Sequence, residues 1–154
     1  MSENDSWHLT LEEITRSFVD LADRVANERE RWMDPYVDEA IRDLVYHLEL
    51  HIPGLDTPPD PEAAQALASA SRAALERGDE QEALSRALRG LAFSPHDPAL
   101  FYLLSASCFE FGSVETAMRL LYHTLWIHPG HREARADLEA LSAFLEDEEG
   151  RSAA

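Results

Sequence analysis

Glu39, Asp43, His47 and His51 are spaced by four, and they are the side chains in this sequence best arranged for metal chemistry. One face of a helix would carry all four, and two His at that spacing can bind zinc. The same spacing also produces ordinary carboxylate–His pairs on a solvent face. His123, His128 and His131 cluster near one turn. His131 suits a helix N-cap, and His128 suits a helix C-terminus, where partial positive charge is favourable. Cys108 is the only cysteine, so no disulfide forms within the chain. It lies in the apolar run 99–111 and reads as a packed thiol. No nucleophile sits beside a base, and there is no phosphate loop or nucleotide fingerprint. These residues point to a binding protein without a cofactor rather than an enzyme. A metal-binding or catalytic protein built on the His face of helix 35–51 is the rival from another class.

The elements that would carry these residues are all helical. Thr10 and Glu13 form a capping box, with Leu9 and Ile14 as its hydrophobic staple. The stripe Ile14, Phe18, Leu21, Val25 predicts a helix running to about Arg31. Asp34-Pro35 opens a second helix, with Val37, Ile41, Leu44, Val45 and Leu48 on its inner face. Asp60-Pro61 and Asp97-Pro98 repeat that device. Asp79 and Ser113, just after Gly78 and Gly112, are placed to cap two further helices. A last helix follows His131 with Leu138, Leu141 and Phe144 inward. The expected division is a flexible N-terminus at 1–9, a helical hairpin at 10–52, a stiff Pro-rich linker at 53–60, a repeat region at 61–131, a capping helix at 132–147 and a flexible tail at 148–154.

Within 61–131 the chain repeats itself. Residues 64–97 and 98–131 align at an offset of 34, sharing Ser71/Ser105, Glu76/Glu110, Gly78/Gly112, Ala83/Ala117, Leu91/Leu125 and Pro95/Pro129. A small residue falls where two helices touch, a Gly ends the first helix, and a Pro follows the second. A period of this length marks a stacked helical repeat. The pattern resembles the tetratricopeptide repeat (TPR) family. Leu67 and Phe101 match its early bulky position, Ser71 and Ser105 its small residue, Gly78 and Gly112 its turn, Ala83 and Ala117 its second-helix contact, and Pro95 and Pro129 its closing proline. The family's usual aromatics are replaced by Ala74, Cys108, Ala87 and Leu121. The resemblance implies an all-α, TPR-like solenoid of two repeats. The N-terminal hairpin is out of register with the repeat: Val37, Leu44 and Glu49 stand one period before Ser71, Gly78 and Ala83. Two repeats leave two open stacking faces, so the hairpin is expected to cover one and the last helix the other.

The resemblance also implies a concave groove lined by the first helix of each repeat. Carried over, it comprises Gln65, Ala68, Arg72 and Leu75, then Ala99, Tyr102, Ala106 and Phe109. Helix 98–111 is apolar nearly all round, so it is either wholly buried or offers one face to a ligand. In the first case the hairpin or last helix would fill the groove over Tyr102 and Phe109. Only Arg72 in this set is basic, which disfavours the acidic C-termini that some family members clamp. A hydrophobic or basic segment of another protein fits better. An acidic chain with a helical segment ahead of such repeats is also similar to type III secretion chaperones that hold hydrophobic clients.

Composition sets the outer limits. The formal net charge is −17 with a pI near 4.6, which opposes nucleic acid and anionic membranes as partners. There is no lysine; all 13 basic residues are arginine. GC-rich coding or adaptation to salt would each give that bias. The N-terminus lacks a secretory pattern and no apolar run is long enough to span a bilayer, so a cytoplasmic protein is expected. Trp7, Trp32 and Met33 flank the first helix, and a homodimer through residues 7–33 is expected from them.

Overall fold

The computed structural model describes residues 9–28, 34–51 and 60–153. Among these residues there are seven helices and no strands. They are α1 (Leu11–Asn27), α2 (Pro35–Leu48), α3 (Pro61–Glu76), α4 (Glu80–Phe93), α5 (Pro98–Phe111), α6 (Val114–Ile127) and α7 (Arg132–Ala153).

Local sequence chemistry explains most boundaries. The Thr10 hydroxyl accepts from Glu13 N–H while the Glu13 carboxylate accepts from Thr10 N–H, closing the capping box. Asp34, Asp60 and Asp97 cap α2, α3 and α5, each with Pro in the first turn. Asp79 caps α4, accepting from Glu82 N–H at 3.0 Å. Ser113 precedes α6 but makes no side-chain cap. Gly78 and Gly112 take φ of +80° and +106°, the left-handed region that other residues enter at a cost. Each lets the next N–H turn back onto the preceding helix: Asp79 to Ala74 O at 2.8 Å, and Ser113 to Cys108 O at 2.9 Å. The two donors and the two acceptors are both 34 residues apart, so the turn itself obeys the repeat.

Within each repeat the small residues sit at the helix contact. Ser71, Ala83, Ser105 and Ala117 are all buried, and the Ser71 hydroxyl donates to Ala83 O at 2.7 Å. Gly90 serves the next contact. A Cβ there would meet Leu100 Cδ2 at 2.8 Å. The pairs α3/α4 and α5/α6 pack as antiparallel hairpins, and α4 packs on α5.

The N-terminal hairpin does not cover the open end of the stack. Instead α1 packs along α4 and α2 along α6, with no substantial packing on α3. Long-range polar contacts set this position. Ser85 donates to Ala22 O at 2.8 Å, the Gln81 amide to Val25 O and Glu28 O, and Thr116 to Asp38 at 2.6 Å. The molecule thus has three layers: α3, α5 and α7; then α4 and α6; then α1 and α2. The apolar stripes of α1 and α2 are buried in the core formed with α4, α5 and α6.

Three boundaries depart from expectation. The second helix ends at Leu48 rather than at 51, with residues 49–50 in a turn. The first helix stops at Asn27, before Arg31, because Glu28 turns extended and the Gln81 amide takes up carbonyls of the last turn. The last helix continues through residues 148–153, where no Pro interrupts it. Residues 1–8, most of the linker and Trp7, Trp32 and Met33 lie outside the described residues. So do both ends, 7–8 and 29–33, of the segment on which the homodimer expectation rests.

Candidate partner-binding site

α5 is apolar on nearly every side, and its environment differs by face. Leu100, Phe101, Leu103, Leu104 and Cys108 are buried in the core. Tyr102, Ala106 and Phe109 follow i, i+4, i+7 and share another face. They line a cavity of about 690 Å³ between α5 and α7. Its floor is Val114, Ala117 and Leu121 of α6, and its far wall is Asp137, Ala140, Leu141 and Phe144 of α7. That volume lies within the roughly 300–1,000 Å³ range of ligand sites, and so does the mostly apolar lining.

The two ends of the cavity differ. At one end α7 meets α5: the Tyr102 hydroxyl donates to Asp137 Oδ2 at 2.7 Å, and its ring lies 5.1 Å from that of His131. Burial pushes the Tyr102 phenol well above its ordinary range. The Asp137 hydrogen bond and the charges of Asp137 and Glu133 add to that, against a smaller opposing effect of Arg72. The phenol therefore stays protonated and a donor. At the other end Phe109 and Phe144 are 46% and 54% exposed. Two large apolar side chains are thus left half in water beside a mostly apolar cavity.

Only part of the sequence-derived groove comes together here. Tyr102, Ala106 and Phe109 line the cavity. Gln65, Ala68, Arg72 and Leu75 are on α3, and Ala99 is in the first turn of α5; none of these five lines it. The hairpin lies away from the groove, and α7 covers Tyr102 while leaving Phe109 open. Phe144, expected to point inward, is exposed at the cavity mouth, while Leu141 and Ala134 pack on Leu121 of α6. The far wall carried a readable signal: α7 begins 34 residues after α5, in the position of a third first helix.

No family model and no curated protein matches the chain. Among solved structures it is similar to the C-terminal TPR-containing domain of a Plasmodium falciparum protein described as FK506-binding. The TM-score is 0.52 at 18% identity, over 94% of this chain and 98% of that one. The fold is TPR-like. At this identity the likeness concerns architecture, and it agrees with the 34-residue period and the two repeated glycine turns.

A second cavity of about 680 Å³ lies between α1 and α4, but its lining is mostly polar: Glu28, Asp79, Gln81, Glu82, Ser85, Arg86 and Arg89 beside Ala26. On α2, His47 approaches Asp43 at 3.8 Å, while His51 Nε2 lies 3.1 Å from Leu9 O. Among the described residues no three His, Cys, Asp or Glu side chains converge as a metal would require. Glu39, Asp43 and His47 therefore follow one another along α2, but the helix ends at Leu48, so His51 leaves that face and the four form no cage. Cys108 is buried, which pushes its thiol far above the usual range and keeps it protonated. His131 Nδ1 accepts from Ala134 N–H at 3.1 Å, the N-cap role expected of it.

His123 has a structural role the sequence did not show. It is buried, with its ring centroid 4.3 Å from that of Phe101, and its Nδ1 lies 3.0 Å from Glu49. Arg119 also holds Glu49, at 2.7 Å. Burial lowers the His123 pKa, outweighing the opposite pull of Glu49. Burial alone would raise Glu49, but the hydrogen bonds from His123 and Arg119 hold it below its usual value. This cluster ties the end of α2 to α6. Glu49, at a position where a repeat would want a small residue, is the anchor of the hairpin. Among the described residues, no helix is long and apolar enough to cross a membrane.

Proposed function

We propose that this chain is a non-catalytic adaptor or assembly factor that holds an apolar segment of another protein in the cavity between α5 and α7. The observation that carries this reading is the half-exposed pair Phe109 and Phe144 at the mouth of an apolar cavity of about 690 Å³. Apolar anchors in a concave site carry most of the energy at such contacts. The TPR-like architecture supports protein binding in general. Gln65, Ala68, Arg72, Leu75 and Ala99 would then extend the contact beyond the cavity along the first-helix layer.

The test is to fill the cavity without disturbing the core. Ala106 is half-buried and faces the cavity. Ala106→Trp should retain the far-UV helical signal and lose proteins that the native chain captures from cell extract. An unchanged set of captured proteins, with the variant folded, would place binding on another surface.

A further inference from the structure

The charge around the cavity narrows the class of segment it can take. Thirteen residues line it, and the two charged ones, Glu110 and Asp137, are both carboxylates. Glu133 acts on Tyr102 from the same side, and Arg72 acts on it more weakly from α3. Downstream on α7 come Glu146, Asp147, Glu148 and Glu149, and the chain as a whole carries −17. An acidic segment entering here would meet like charge with little to offset it. A neutral apolar one would leave the carboxylates at the rim unused.

Resting on the adaptor reading above, we propose that the occupant is a basic amphipathic segment of a partner protein. Its apolar side chains enter between Phe109 and Phe144, and its Lys or Arg side chains reach Asp137 and Glu110. An apolar centre ringed by complementary charge is the usual anatomy of a specific interface. Asp137 can serve two partners. Its bond to the Tyr102 hydroxyl engages Oδ2, and a carboxylate offers about four acceptor positions on its two oxygens. A guanidinium can therefore bind there without displacing Tyr102. The occupant has the opposite charge to the acidic C-terminal peptides that the composition of the groove already disfavours.

Three fluorescent peptides of equal length test this. They share one apolar face of Leu and Phe and carry Arg and Lys, Gln, or Glu at the polar positions. Binding is followed by anisotropy at low and at near-physiological salt. The basic peptide should bind about three- to tenfold tighter than the Gln peptide, the gain expected from two partly exposed ion pairs, and the Glu peptide should be weakest. The gain should shrink as salt rises, since the Debye length falls to about 8 Å at 0.15 M. Asp137→Asn combined with Glu110→Gln should abolish the preference. Glu12→Gln combined with Glu62→Gln removes the same charge from α1 and α3 and should preserve it. Thermal unfolding of each variant confirms that it is folded.

The outcomes separate the two readings. Equal affinity for the basic and Gln peptides, or tightest binding of the Glu peptide, would overturn the charge assignment and leave the groove reading intact. So would a preference lost equally in the remote double variant, which would then be bulk attraction to an acidic chain. Binding that survives Ala106→Trp, or no binding by any of the three peptides, would overturn both.

Discussion

Two phenylalanines on α5, eight residues apart, should respond very differently to truncation. Phe101 is fully buried and packs on His123, whereas Phe109 is 46% exposed at the cavity mouth. Truncating a buried Phe to Ala costs about 3–5 kcal/mol, because the transfer term is joined by a cavity term. Phe109→Ala forfeits roughly half the transfer term, about 0.8–1.5 kcal/mol, and opens no closed void since it already borders open space. Any gain in helix propensity from Phe to Ala applies to both and cancels in the comparison. For a chain of this size about 2–4 °C of Tm corresponds to 1 kcal/mol. Phe101→Ala should then lower Tm by about 6–20 °C and Phe109→Ala by about 2–6 °C. The assay is thermal unfolding followed by circular dichroism, with urea unfolding as a check that the m-value is unchanged. Equal losses would mean that Phe109 is a core residue in solution and that the cavity is closed. The partner-binding assignment of Phe109 would fall with it.

Three further outcomes follow from the packing. Ala83→Leu or Ala117→Leu should overpack a helix contact that is fully buried and cost about 1–3 kcal/mol by urea unfolding. Gly112→Ala should cost about 1–2 kcal/mol despite open space around the Cβ, because the penalty lies in a φ of +106°. His123 has its pKa lowered by burial, so below the ordinary value near 6.5 the unfolded chain binds a proton that the fold refuses. Its contribution is therefore complete above about pH 6.5 and declines as pH falls toward the folded pKa. His123→Phe should flatten that part of the stability–pH curve measured by urea unfolding, and an unchanged slope would refute the assignment.

What the sequence made legible was whatever depends on near neighbours. Asp-Pro at three helix starts, the Thr10–Glu13 box and the glycines with positive φ each act over three to five residues, and each appears where its residue types require. The small residues at the repeat contact were legible for another reason. A 34-residue period states which positions meet, even when their chemistry is as plain as Ser71 against Ala83. The placement of α1 and α2 has no such period to betray it. It rests on contacts such as Thr116 with Asp38 and His123 with Glu49, more than 70 residues apart in sequence. A helical stripe gives the face that is buried, not the helix that buries it. Phe144 shows the same limit: it stands three residues after Leu141, which packs on α6, yet it is exposed at the rim of the cavity rather than buried in the core.

The position of the hairpin also bears on whether a groove exists at all. The apolar stripes of α1 and α2 are spent on the second-helix layer, so these helices cannot also fill the first-helix face. The polar contacts from Ser85, Gln81, Thr116 and Glu49 hold them there, and sliding off would leave buried hydrogen-bonding groups unsatisfied. Among the described residues, that leaves α7 as the element bordering the cavity that could close it. It is held by a small cluster apart from the main core, with Ala134, Leu138 and Leu141 among Leu121, Met118, Val114 and Leu125 of α6, and by the Tyr102–Asp137 hydrogen bond at one end. A few side chains therefore determine the width of the cavity. A segment that wedges between Phe109 and Phe144 would work against that smaller cluster rather than against the main core.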